Sequence, residues 1–86
     1  MTRAVKWAEQ AWDEFRAFEK DNPKVAKRIV ALLKDTLEHP FEGIGKPEPL
    51  KYNLKGYWSR RITNEHRMVY KVTQDEILIA QVMYHY

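Results

Sequence analysis

The chain has 86 residues, no cysteine and a formal charge of +3, with 44% hydrophobic and 13% aromatic residues to build a core. That suits one small domain over residues 1–86 with a modest stability margin, and it excludes a disulfide framework and thiolate metal sites. The basic balance, with a pI of about 9.2, leans towards nucleic acid or an acidic partner. No run is apolar enough for a signal peptide or a bilayer span, so a cytoplasmic location and no membrane partner are expected.

Residues 3–7 alternate polar and apolar, as a half-buried strand does. The period then changes. Ala8, Ala11, Trp12, Phe15 and Phe18 fall on one helical stripe, with Glu9, Asp13, Glu14 and Arg16 facing away. Asn22-Pro23 is a restart signal: an N-cap type followed by a proline at the first helical position. A second helix should run to about Leu37 or Glu38 and bury Val25, Ile29, Leu32, Leu33 and Leu37. So short a link predicts an antiparallel helix hairpin. Pro40 ends the second helix, and residues 41–49, rich in glycine and proline, form a loop. Strands are expected at residues 50–54, 57–63, 66–73 and 77–84, the last nearly all apolar and so central and covered on both faces. The fold class is α+β, with an N-terminal strand and a two-helix hairpin on one face of a mainly antiparallel sheet. The other face is left for function.

The chemistry-bearing residues gather late in the chain. Cutting RNA without a metal needs a base for the 2′-hydroxyl, an acid for the departing 5′-oxygen, and cations for the phosphoryl charge. Glu48 lies between Pro47 and Pro49, which hold its carboxylate at a set angle; as a functional group it would be the base. Arg67 would clamp the scissile phosphate, and His85, at the end of a strong strand, would donate the proton. Tyr86 could stack on a base or bond a phosphate. Trp58, beside Arg60 and Arg61, is a candidate stacking surface for RNA. A two- or four-residue hairpin connection would put Arg60 and Arg67 on one face and Arg61 on the other; a bulge would reverse this, so parity does not choose between Arg60 and Arg61. The plainer readings are a solvated loop glutamate, a surface ion pair for Arg67 and a frayed terminal histidine. His39 reads as a helix-end residue, and His66 merely follows a turn. Gly43-Ile44-Gly45-Lys46 lacks the phosphate-loop pattern and is assigned to backbone geometry.

Taken in order, Pro40-Phe41-Glu42-Gly43, Gly45-Lys46-Pro47-Glu48-Pro49-Leu50-Lys51, Gly56, Trp58-Ser59-Arg60-Arg61-Ile62, Glu65-His66-Arg67, Val69-Tyr70 and Tyr84-His85-Tyr86 resemble the YoeB branch of the RelE/ParE superfamily of bacterial toxins. The resemblance covers essentially the whole chain. It implies a microbial-RNase-like fold and a ribosome-dependent, metal-independent endoribonuclease that cleaves mRNA in the ribosomal A site, with no cofactor. By position it implies Glu48 as general base, His85 as general acid, Arg67 as the phosphate-stabilising arginine, Tyr86 as a substrate-holding residue, and Lys51 and Arg61 as auxiliary RNA contacts. It further implies a YefM-like antitoxin, a homodimer, and operator DNA bound only through the antitoxin complex. Two rivals stand beside this reading. One is a ParE-like, non-catalytic inhibitor of DNA gyrase on the same fold. The other is a plain RNA- or protein-binding module in which the arginines serve affinity alone.

Overall fold

In the computed structural model, which describes residues 3–84, the elements follow the chain in a simple order. Strand β1 (Ala4–Trp7) leads into helix α1 (Glu9–Asp21) and helix α2 (Pro23–Glu38). A long loop then reaches β2 (Glu48–Pro49), a 3-10 turn (Tyr52–Leu54), and strands β3 (Tyr57–Arg61), β4 (Arg67–Val72) and β5 (Glu76–Gln81). Residues Ala11, Phe15 and Phe18 supply the buried stripe of α1, spaced as one helical face requires. Glu9 in its first turn and Lys20 in its last complement the helix dipole. Asn22 closes α1 by donating its backbone N–H to Phe18 O at 2.7 Å, and it also starts α2, with Pro23 following.

One five-stranded sheet has the order β1-β5-β4-β3-β2. The neighbours β5/β4, β4/β3 and β3/β2 are antiparallel, while β1 lies parallel to β5 with Val5 beside Ile77 and Trp7 beside Ile79. The helices cover one face. Ile29 and Leu32 of α2 meet Met68, Tyr70, Ile77 and Ile79 of the sheet in a single cluster. Each of these apolar side chains, fully buried, stabilises the fold by about 1.5–3 kcal/mol.

Several expectations need correction. Residues 50–54 are no strand. Tyr52 takes a left-handed φ of 58°, and Lys51 O and Tyr52 O accept the N–H groups of Leu54 and Lys55 to close a 3-10 turn. The pairing instead falls earlier, inside the expected loop, where Glu48 sits opposite Ser59 and Pro49 opposite Trp58. A proline is tolerated there because β2 is the edge strand and its missing N–H faces outward. The β3–β4 register also differs. Arg61 opposes Arg67 and Arg60 opposes Met68. The cause is the turn: Thr63 Oγ1 accepts the N–H groups of Glu65 and His66, while Ile62 and Thr63 both donate to His66 O. Two residues thus face one, as in a bulge, and side-chain parity moves by one. Glu14 does not face away, because its carboxylate accepts the Val82 N–H at 2.9 Å and ties α1 to the end of β5. Strand β5 buries Ile77 and Ile79, but Leu78 on its other face is only half-buried.

Candidate active site

A buried guanidinium builds the site. Arg60 is fully buried on the helix face of β3. Its Nη1 donates to Asp35 Oδ2 at 2.6 Å and to Ile44 O at 3.1 Å. Its Nη2 donates to His39 O at 2.5 Å and Glu42 O at 2.8 Å, and its Nε to the Tyr70 hydroxyl at 3.1 Å. Tyr70 in turn donates to Pro40 O at 2.9 Å. Arg60 is therefore a clamp: one rigid fork holds the carbonyls of a loop that has no regular structure of its own. Asp35 also accepts the Ile44 N–H at 3.0 Å. The hydrogen bond from Arg60 holds the Asp35 carboxyl below its ordinary range, while burial pushes the Tyr70 phenol up.

Gly45 finishes what the clamp begins. It takes φ 81°, and a Cβ there would meet Leu32 Cδ2 at 2.7 Å and Arg61 O at 3.2 Å. Only glycine permits that approach, which lets Gly45 O accept the Arg61 N–H at 2.6 Å. The chain then reaches Glu48 already docked against β3.

Glu48, Ser59 and Val69 lie in one row across β2, β3 and β4, on the face away from the helices. The next row on that face holds Arg61 and Arg67, and the row on the other side holds Tyr57 and Lys71. Arg67 Nη1 stands 3.7 Å from Glu48 Oε1. The arginine side chain is 16% exposed and the glutamate 57%. Two guanidinium-bearing residues directly opposite each other repel, and this favours an anion between them. Ser59 Oγ is buried in the floor of this row with no hydrogen-bond partner. Lys51 is exposed and lines an open cleft of about 510 Å³ together with Glu48 and Leu54.

At the foot of β4 the backbone at Tyr84 is tied back. His66 Nδ1 accepts the Tyr84 N–H at 2.8 Å, and Tyr84 O accepts the Arg67 N–H at 3.2 Å. His85 and Tyr86 lie outside the described residues.

Of the expected RNA contacts, Arg61 and Lys51 are exposed, with Arg61 on the Glu48–Arg67 face. Two others lie on the helix face. Arg60 has no exposed surface and all its donors point into the fold. Trp58 is on the helix face and packs on Phe41 at 5.0 Å between ring centroids. Sequence reading missed Lys71, whose Nζ lies 5.7 Å from the Tyr57 ring centroid on the open face. Its signal was the period-two spacing from Arg67 through Val69. Among the described residues no group of His, Asp and Glu is arranged to hold a metal ion.

Comparison with known proteins decides the family. Residues 7–86 match the family described as YoeB-like toxin of bacterial type II toxin-antitoxin systems. The chain belongs to this family. It is 55% identical over 80 residues to the toxin YoeB of Escherichia coli K12, covering 93% of this chain and 95% of that one. The structure of a YoeB dimer from Staphylococcus aureus matches with a TM-score of 0.93 and 44% identity, covering 100% of both chains. A heterotetrameric YoeB–YefM toxin–antitoxin complex from the same organism matches with a TM-score of 0.91, again at 44% identity over 100% of both chains. Within this family the fold is the α+β, RelE-like one, and the present chain is a toxin of a toxin–antitoxin system.

Proposed function

We propose that this toxin is a ribosome-dependent endoribonuclease that cuts mRNA in the A site without a metal. The observation that carries the reading is the meeting of Glu48 and Arg67 at 3.7 Å on the open face of the sheet. A carboxylate and a guanidinium so placed suit a 2′-hydroxyl and the phosphate beside it.

Glu48 takes the proton from the 2′-hydroxyl, and that oxygen attacks the adjacent phosphorus in line. Arg67, with Arg61 across the strand, holds the negative charge that grows on the phosphoryl oxygens. His85 protonates the 5′-oxygen as its bond to phosphorus breaks. Tyr86 and Lys51 hold the RNA. The products are a 2′,3′-cyclic phosphate, or the 3′-phosphate from its opening, and a 5′-hydroxyl. A structured ribosomal site supplies the in-line geometry that a small open face does not enforce on free RNA.

The solved YoeB–YefM complexes and YoeB dimer support a YefM-like antitoxin and a homodimer for this chain as well. Operator DNA would be engaged only through the antitoxin complex, and the action belongs in the cytoplasm, where ribosomes translate. Single-turnover cleavage on ribosomes programmed with a defined A-site codon tests the proposal. Glu48→Gln should slow cleavage on the order of 10²–10⁴-fold while ribosome binding holds. Equal cleavage rates for the variant and the wild type would overturn Glu48 as the base.

A further inference from the structure

His66 was read as a residue that merely follows a turn, yet it is the best-engaged histidine among the described residues. Its side chain is 13% exposed. The ring packs edge-on against Phe18 of α1, with centroids 4.9 Å apart, and in a tilted contact against Tyr84 at 5.3 Å. Its Nδ1 lies 2.8 Å from the Tyr84 backbone nitrogen. A backbone nitrogen only donates, so Nδ1 must accept and the ring proton must sit on Nε2. That second nitrogen is 3.6 Å from Glu65 Oε1.

The next residue continues the grip. Arg67 donates its backbone N–H to Tyr84 O at 3.2 Å, so consecutive residues hold both polar groups of the Tyr84 backbone. Tyr84 needs holding. Its φ is 61°, a left-handed conformation that a tyrosine keeps only where its surroundings impose it. His85 follows Tyr84 directly in the sequence, so the direction set by this turn bears on what a side chain at position 85 can reach.

We propose that His66 is a positioning residue for catalysis: through the bond from the Tyr84 N–H to its Nδ1, it fixes the turn that immediately precedes His85. The inference rests on the nuclease reading given above. Because Arg67 follows His66 at the start of β4, the phosphate clamp and the turn before His85 are set by one short stretch of chain. His66 touches no substrate and acts only through the tail.

The test compares two variants of the full chain. In His66→Asn, Oδ1 can stand where Nδ1 stands and accept the same N–H. In His66→Leu, the volume is kept and the acceptor is lost. Nitrogen-15 NMR of the wild type should report the Nε2–H tautomer, and the Tyr84 amide should be protected from exchange in the wild type and in the Asn variant only. On programmed ribosomes, His66→Leu should lower the single-turnover rate on the order of 10²-fold with KM little changed, and His66→Asn should recover most of the loss. Added to His85→Ala, His66→Leu should cost nothing more, since its effect runs through the tail. A protonated Nδ1, an unprotected Tyr84 amide, wild-type cutting by the Leu variant, or full additivity with His85→Ala would each overturn the proposal. Wild-type cutting by His85→Ala alone would instead overturn His85 as the acid, and no cutting by the wild type would overturn the nuclease reading; in either case the tautomer and exchange data would still decide whether the bond exists.

Discussion

Removing the Asp35 carboxylate should unfasten the loop that presents Glu48. In Asp35→Ala the Arg60 guanidinium stays fully buried but loses its one anionic partner among the described residues, at 2.6 Å, and Ile44 N–H loses its acceptor. Breaking a buried pair from one side costs about 3–5 kcal/mol. Asp35 is 21% exposed and three loop carbonyls still accept from Arg60, which places the cost near the low end, about 3 kcal/mol. For a domain of this size that is a fall in Tm of roughly 12–24 °C. Thermal unfolding followed by circular dichroism reads it directly. The double variant Asp35→Ala, Arg60→Met should melt closer to wild type than Asp35→Ala alone, because the uncompensated charge is gone. A single variant within about 1 kcal/mol of wild type would refute the reasoning, as would a double variant no more stable than the single one.

Three further outcomes are expected. The Asp35 carboxyl is held below its ordinary range, so its stabilisation is complete above the usual carboxylate pKa of about 3.9 and is lost as pH falls through the lower folded value. The Tm gap between wild type and Asp35→Asn should therefore narrow on acidification below about pH 4, and a constant gap down to pH 2 would count against the pair. Ser59→Ala deletes a buried hydroxyl without a partner and should raise stability by about 1 kcal/mol in a denaturant melt, whereas a loss of that size would mean the hydroxyl is satisfied. Arg67→Lys keeps charge but not the planar fork, and should slow cleavage at least tenfold while the lysine variant of Arg61 has a smaller effect; the reverse order would shift the phosphate site to Arg61.

The helices were legible because their signals are local. Phe15 and Phe18 repeat with the helical period, and Asn22-Pro23 marks the break between two helices. The family was legible too, since its pattern runs in order to the chain end. The hairpin register was not. It turns on one hydroxyl, that of Thr63, which holds two N–H groups and moves the parity of every residue in the pair. Arg60 and Arg61 are chemically identical in the sequence and opposite in fate. What buries Arg60 is an acceptor set assembled from Asp35, His39, Glu42 and Ile44, far away along the chain. Glu48 was read as fixed by its flanking prolines; what places it is an edge pairing with Ser59 and the Gly45 approach to β3. The role of His66 depends on a contact with a residue 18 positions on, which no local pattern reveals.

The most direct test of the account is the chemistry of the cut ends. An mRNA translated in vitro with the purified toxin should break in phase with codons at the A site, leaving a 2′,3′-cyclic phosphate or 3′-phosphate and a 5′-hydroxyl. The Glu48→Ala, His85→Ala double variant should leave it whole. Breaks bearing a 5′-phosphate, breaks as frequent in naked RNA as on ribosomes, or undiminished cutting by the double variant would contradict the account.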